Sequence, residues 1–264
     1  MKKFLDEDFL LDSKLAVSLY ENHAKKMPIF DFHCHLVPKQ IAEDYHFSSI
    51  TEAWLGKDGY GDHYKWRLLR EMGVSEEYIT GNKPDYEKFL MYAKCMPYFI
   101  GNPIYEWTHL ELKKYFNIDK VLNEDTAKEI YDKCNETLKT LSARKMMEIN
   151  NVDTVFTTDD PVDDLHYHEI MSKDKTLKVN VFPAFRPDKA INVERDTFIP
   201  WIKQLEKVTS RDIKSLEDML KSLDERLKFF VDHGCRASDH ALDVVHYKKA
   251  SYEEANKVFL KVKP

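Results

Sequence analysis

Glycine is scarce here: seven residues in 264, none arranged as Gly-x-Gly-x-x-Gly or as a Walker-type loop. Such loops cradle nucleotide phosphates, so their absence argues against nucleotide binding. Cysteine is sparse too. Cys34, Cys95, Cys134 and Cys235 are scattered without a Cys-x-x-Cys pair, which points to free thiols in a reducing cytoplasm rather than a disulfide framework. No apolar run approaches the length that spans a bilayer, and the charged amino terminus lacks a signal-peptide core, so no membrane association is expected. No basic block stands out against a formal charge of -6, which argues against a nucleic-acid partner.

What is present supports a substantial core: 43% hydrophobic residues, 12% of all residues being aromatic. The length suits one α/β domain or two smaller ones. Asp12 and Ser13 can cap a helix over 14–26, with Leu15, Ala16 and Leu19 as its apolar face. Residues 1–39 then read as a first barrel helix and strand. Residues 40–150 read as a mainly helical, aromatic-rich insertion, with helical spacing over 62–72, 84–98, 105–116 and 124–141. Residues 151–264 read as further β/α units, with strands over 152–158, 176–185 and 235–241. Helices are expected from Pro161 to 173, over 198–207 and 216–233, and finally over 252–262. Alternating strands and helices favour a parallel sheet with functional groups on the loops after the strands. Four strands are too few for a closed barrel, so the expected class is α/β, a partial or distorted (β/α)8 TIM-like barrel.

The run Ile29-Phe30-Asp31-Phe32-His33-Cys34-His35 carries the most information. It reads as a short buried strand. Side chains alternate along a strand, so His33 and His35 share a face with Asp31 while Cys34 points away, an arrangement able to hold a divalent metal. Spacing alone is weak, since chance gives roughly half such a pair in a chain this rich in histidine. The second pair, His166 and His168, falls in a helical segment where residues two apart diverge. Asp159 and Asp160 read either as paired carboxylates or as a cap on a helix starting at Pro161, and the cap is preferred. Ser238, Asp239 and His240 cannot act as a relay if contiguous on a strand, although Asp239 or His240 can face a site.

One ordered set of segments resembles a known family. It comprises Asp31-Phe32-His33-Cys34-His35, Asp62-His63-Tyr64-Lys65-Trp66-Arg67, Gly101-Asn102-Pro103, Tyr105-Glu106-Trp107, Thr157-Thr158-Asp159-Asp160-Pro161, Phe185-Arg186-Pro187-Asp188 and Ala237-Ser238-Asp239-His240-Ala241-Leu242. Together they resemble uronate isomerase (glucuronate isomerase), of the amidohydrolase superfamily. The resemblance runs to about Leu242 and matches the amino-terminal part of the family, whose members are nearly twice as long. It implies a distorted barrel of the metallo-dependent hydrolase type with a helical insertion. It also implies interconversion of D-glucuronate with D-fructuronate and of D-galacturonate with D-tagaturonate.

On that resemblance His33 and His35 match the metal-binding pair, with Zn²⁺ as the expected cofactor acting as Lewis acid and template. The family's later Asp ligand and its accompanying Arg have no counterpart here. Tyr64 is the proton-transfer candidate for the enediol step, because a cation can lower a phenol from its ordinary pKa of about 10. His63 is expected to assist it and to orient a substrate hydroxyl or carboxylate. Arg186, just past a strand, offers a guanidinium fork for the uronate carboxylate, or else forms an ion pair with Asp188. The expected partner is a hexuronate, and the expected state is a cytoplasmic homo-oligomer. Two rivals remain: a metal-dependent hydrolase on the same scaffold, and a fragment that needs further strands to assemble, since an open barrel exposes strand edges.

Overall fold

The structure, a computed structural model, describes residues 4–57, 61–242 and 247–263. The chain opens with α1 (Lys14–Asn22), β1 (Ile29–Asp31), α2 (Pro38–Ala42) and α3 (Ile50–Leu55). Then come α4 (His63–Glu71), α5 (Asp85–Cys95), α6 (Pro103–Phe116), α7 (Ala127–Leu138) and α8 (Ala143–Ile149). The remainder is β2 (Val152–Asp159), α9 (His166–Lys173), β3 (Asn180–Phe185), α10 (Asp188–Ile191), α11 (Phe198–Thr209), α12 (Leu216–Asp232) and α13 (Tyr252–Val262). Two compact units result, Met1–Pro28 with Asp44–Asn151, and Ile29–Glu43 with Val152–Pro264. No described helix is long and apolar enough to cross a membrane.

The first unit is helical, and its helix starts are written in the sequence. Ser13, Ser49, Asp62, Asn102 and Ser142 each accept a backbone N–H with a side-chain oxygen, satisfying donors that a helix leaves open at its first turn. Asn117 ends α6 in the left-handed conformation that asparagine tolerates, with φ 52°. The core gathers Trp54, Phe89, Tyr92, Met96, Leu112, Leu122 and Ile130, so the aromatic residues of this region serve packing. α1 departs from its expected pattern: it buries no residue, and Leu15 and Leu19 are exposed.

The second unit is a parallel sheet flanked by helices, in strand order β1-β2-β3. β2 and β3 run in register from Thr154 opposite Asn180 to Asp159 opposite Phe185. Their helices bury Phe198, Trp201, Ile202, Leu205 and Phe259 in one cluster, and Leu165, Phe185, Phe230 and Cys235 in another. Because all three strands point one way, their carboxyl ends lie at one edge of the sheet, where residues after Asp31, Asp159 and Phe185 emerge together.

Four expectations are corrected. β1 has three residues, not seven, and it is exposed rather than buried, with Phe30 61% accessible. The Asp31 carboxylate accepts the His33 amide at 3.2 Å and bends the chain out of the strand. No helix begins at Pro161; Asp160 accepts the Val162 amide in a turn, and α9 starts only after Leu165, whose φ is 56°. The expected fourth strand shrinks to one parallel bridge between Phe185 and Ser238. Among the described residues the sheet therefore has three strands, which do not close a barrel. The bridge depends on Gly234, which turns the chain after α12 at φ 93°. There a Cβ would meet the Phe182 ring at 2.5 Å.

Candidate functional site

His33 and His35 leave the sheet edge on a bend whose middle residue is pinned to β2. The Cys34 amide donates to the Phe156 carbonyl at 3.0 Å, and the Thr158 hydroxyl donates to the Cys34 carbonyl at 2.9 Å. Cys34 itself is buried, and burial pushes its thiol up to about 11, which makes it inert at neutral pH. With the backbone clamped at Cys34, the flanking imidazoles swing to one side. Their Nε2 atoms are 3.1 Å apart and the rings meet edge to face.

Asp239 lies against the other side of His33. Its carboxylate is 2.9 Å from His33 Nδ1, and it takes a two-pronged contact from Arg186 through Nε and Nη2. Asp188 stands 3.7 Å from Arg186 Nε and in turn accepts the Ala241 amide and pairs with His240 Nδ1 at 3.0 Å. The cluster is thus His35, His33, Asp239, Arg186, Asp188 and His240, drawn from three places at one edge of the sheet. Burial pushes the Asp239 carboxyl up, but the Arg186 guanidinium and His33 more than reverse this and hold it below its ordinary range.

In the tautomer that donates from Nδ1 to Asp239, His33 turns a bare Nε2 lone pair toward His35. Two imidazole nitrogens on one tetrahedral zinc at about 2.0–2.1 Å would lie about 3.4 Å apart, close to the separation found. The pair therefore fits as two ligands of a metal site. It does not fit as a whole one, because no group of three or more His, Cys, Asp or Glu among the described residues is arranged to hold a metal. Asp31, read from sequence as a third member of that face, is engaged with the His33 amide instead.

Sequence alone does not decide the roles of Asp239 and His240, whose partners are far away along the chain. Arg186 and Asp239 are 53 residues apart, and the Phe185–Ser238 bridge helps bring them together. Arg186 serves the ion-pair role considered for it, with Asp239 rather than Asp188 as the closer partner.

His63 and Tyr64 belong to the helical unit. They are the first two residues of α4, with ring centroids 4.3 Å apart, and Tyr64 is 54% exposed. Trp66 beside them donates its indole N–H to the Leu55 carbonyl at 2.8 Å and so has a packing role.

Behind the sheet edge lies a buried polar trio. The Thr157 hydroxyl donates to Asp159 Oδ2 and meets His168 Nε2, both at 2.7 Å. Asp159 is thereby a strand residue turned inward, not the helix cap expected of it. Burial pushes its carboxyl up to about 7, against the Thr157 bond, and pushes the His168 imidazole down to about 4. The two act on stability with opposite signs. From its ordinary value of 3.8 up to 7, folded Asp159 keeps a proton that the unfolded chain has lost, so its contribution falls as pH rises. Between 4 and its ordinary 6.5, folded His168 lacks a proton that the unfolded chain holds, so its contribution rises with pH. Over pH 4–6.5 they offset. Asp159→Asn removes one side, and its unfolding free energy should gain on the wild type by up to about 3 kcal/mol across that window in urea titrations. Parallel pH profiles for the two proteins would contradict this.

The glucuronate isomerase family model matches residues 1–264. Over 99% of its length the chain is 54% identical to a uronate isomerase of Caldanaerobacter subterraneus subsp. tengcongensis, and over 98% it is 47% identical to one of Bacillus subtilis. It covers 56% and 54% of those proteins, so it spans about half the length of the curated relatives it matches. Among solved structures, a uronate isomerase of Thermotoga maritima superposes with a TM-score of 0.90 at 38% identity, covering 99% of this chain and 56% of that one. A glucuronate isomerase of Caulobacter crescentus gives 0.86 at 23% identity, over 98% of this chain and 56% of that one, a likeness of fold.

Proposed function

This chain belongs to the glucuronate isomerase family, and on that premise we propose that it works as an aldose–ketose isomerase of hexuronates in cytoplasmic sugar-acid catabolism. The substrates proposed are D-glucuronate and D-galacturonate, with D-fructuronate and D-tagaturonate as products, on a barrel of the family's type. The observation that carries the reading is the convergence of two ring nitrogens beside an Arg186–Asp239 pair.

Electrostatics supports a metal requirement. One guanidinium faces two carboxylates, so Arg186, Asp239 and Asp188 together are net negative. A sugar acid carrying its own carboxylate would be repelled there unless a divalent cation reversed the sign. His33 and His35 would hold that cation, proposed as Zn²⁺, which would supply Lewis acidity toward substrate oxygens. Arg186 donates to Asp239 through Nε and Nη2, and its remaining N–H groups can turn to the uronate carboxylate or an enediolate oxygen. Asp239 holds the His33 ring in register. Tyr64 is proposed to carry the proton from C2 to C1 through the enediol while His63 orients a hydroxyl.

The test is to incubate the chain with D-glucuronate and with D-galacturonate, with Zn²⁺ or with a chelator, and to follow ketose formation. Metal-dependent ketose is the expected result. Cleavage of ester or amide substrates without uronate turnover would favour a hydrolase instead. A second reading is favoured by Ile29, Phe30 and Phe32, all exposed beside an edge strand that pairs only with β2 among the described residues. Such an edge favours assembly with further polypeptide, a second copy included.

A further inference from the structure

Lys65 is 4% exposed, a buried cation of the helical unit set against the core residue Trp54. Its ammonium lies 2.8 Å from Asp62 Oδ2, 3.7 Å from Glu111 Oε1 and 5.6 Å from the Trp54 ring centroid. The other oxygen of Asp62, Oδ1, accepts the Tyr64 amide at 2.9 Å and the Lys65 amide at 3.3 Å. One carboxylate therefore joins two things, a buried ammonium on one side and the first turn of α4 on the other. His63 and Tyr64 are the residues of that turn.

A helix cap needs only the carboxylate, and its contribution to stability is modest. Burying an ammonium is expensive, and an apolar side chain of similar volume usually serves stability as well or better. The balance makes Lys65 poor value as a device for stability alone. It makes sense as a device for direction. Tyr64 is more than half exposed, so where its phenol points is set by the turn it stands on rather than by a packed pocket.

We propose that Lys65 is a positioning residue: through Asp62 it locks the first turn of α4 and so aims the Tyr64 phenol and the His63 ring. This rests on the reading of Tyr64 and His63 as working groups. Their rings, tilted against each other with centroids 4.3 Å apart, then move as one unit with the turn. Glu111 is the third member of the lock. Burial pushes its carboxyl up while Lys65 opposes that shift.

The test uses Lys65→Met in the full chain. A second variant, Lys65→Met with Asp62→Asn, keeps a capping oxygen and leaves no unpaired charge at position 62 in case the first folds poorly. Amide hydrogen exchange by NMR and steady-state kinetics on D-glucuronate are read together, alongside the melting temperature. The expected result is exchange at the amides of residues 64 and 65 faster by at least about tenfold, with other helices of the unit unchanged. Turnover should fall at least about tenfold in kcat with KM within about threefold, and the melting temperature of the double variant should stay within about 5 °C of wild type. Unchanged exchange at 64 and 65 with unchanged kcat would overturn the proposal. Exchange rising evenly through the unit would also overturn it, because Lys65 would then be structural only. If the unsubstituted chain shows no turnover with either uronate, the isomerase reading fails on its own, and exchange at residues 64 and 65 still decides whether the lock exists.

Discussion

Tyr64→Phe is expected to lower metal-dependent ketose formation from D-glucuronate by at least about a hundredfold, with little change in KM or in melting temperature. The substitution removes one hydroxyl and keeps the ring. Tyr64 is 54% exposed and caps nothing with its side chain, so no buried partner is orphaned and the fold has no reason to notice. Moving a proton between C2 and C1 of an aldose needs a group that can both take and give it, and Phe can do neither. The same experiment on Tyr92 makes the contrast. That phenol is fully buried against the Thr108 hydroxyl at 2.7 Å, so its loss should be felt as stability rather than turnover. Full activity in Tyr64→Phe would remove the phenol from the mechanism.

The second large effect concerns Asp239. Asp239→Asn keeps shape and an acceptor oxygen but removes the charge that both Arg186 and His33 face. Arg186 is left with Asp188 alone, 3.7 Å from its Nε, and the His33 ring loses a strong acceptor at Nδ1. Loss of such an outer partner typically weakens metal binding by about 10–100-fold. Zinc affinity measured by calorimetric titration should drop by that factor while the melting temperature moves by no more than about 3 °C, since Asp239 is at the surface edge of the sheet. Affinity equal to that of the unsubstituted chain would show that His33 needs no support from Asp239.

How much of this was legible in the sequence depends on the range of the interaction concerned. Local signals read well. Ser251 and Glu254 form a reciprocal capping box, and the final helix runs over Tyr252–Val262 as its periodicity predicts. The divergence of His166 and His168 also follows from helical geometry: His168 is buried on Thr157 while His166 is exposed. Misreadings arose where a side chain competes with the backbone. Asp31 bends the chain after three strand residues, and Asp160 closes a turn that delays α9 by five residues from Pro161. β1 is exposed where its apolar run predicts burial, because such a run looks the same whether its cover is present or not. The pairing of Asp239 with Arg186 and His33 is beyond sequence reasoning, since it depends on long-range contacts such as the bridge between Phe185 and Ser238. The ordered motif set, by contrast, identified the family from residues scattered over both units.

The central claim is that His33 and His35 converge on one cation, and zinc-edge X-ray absorption on the zinc-loaded chain tests it most directly. The account predicts two imidazole nitrogens at about 2.0–2.1 Å, with the imidazole scattering lost in His33→Ala/His35→Ala. A spectrum without imidazole, or one that the double substitution leaves unchanged, would contradict it.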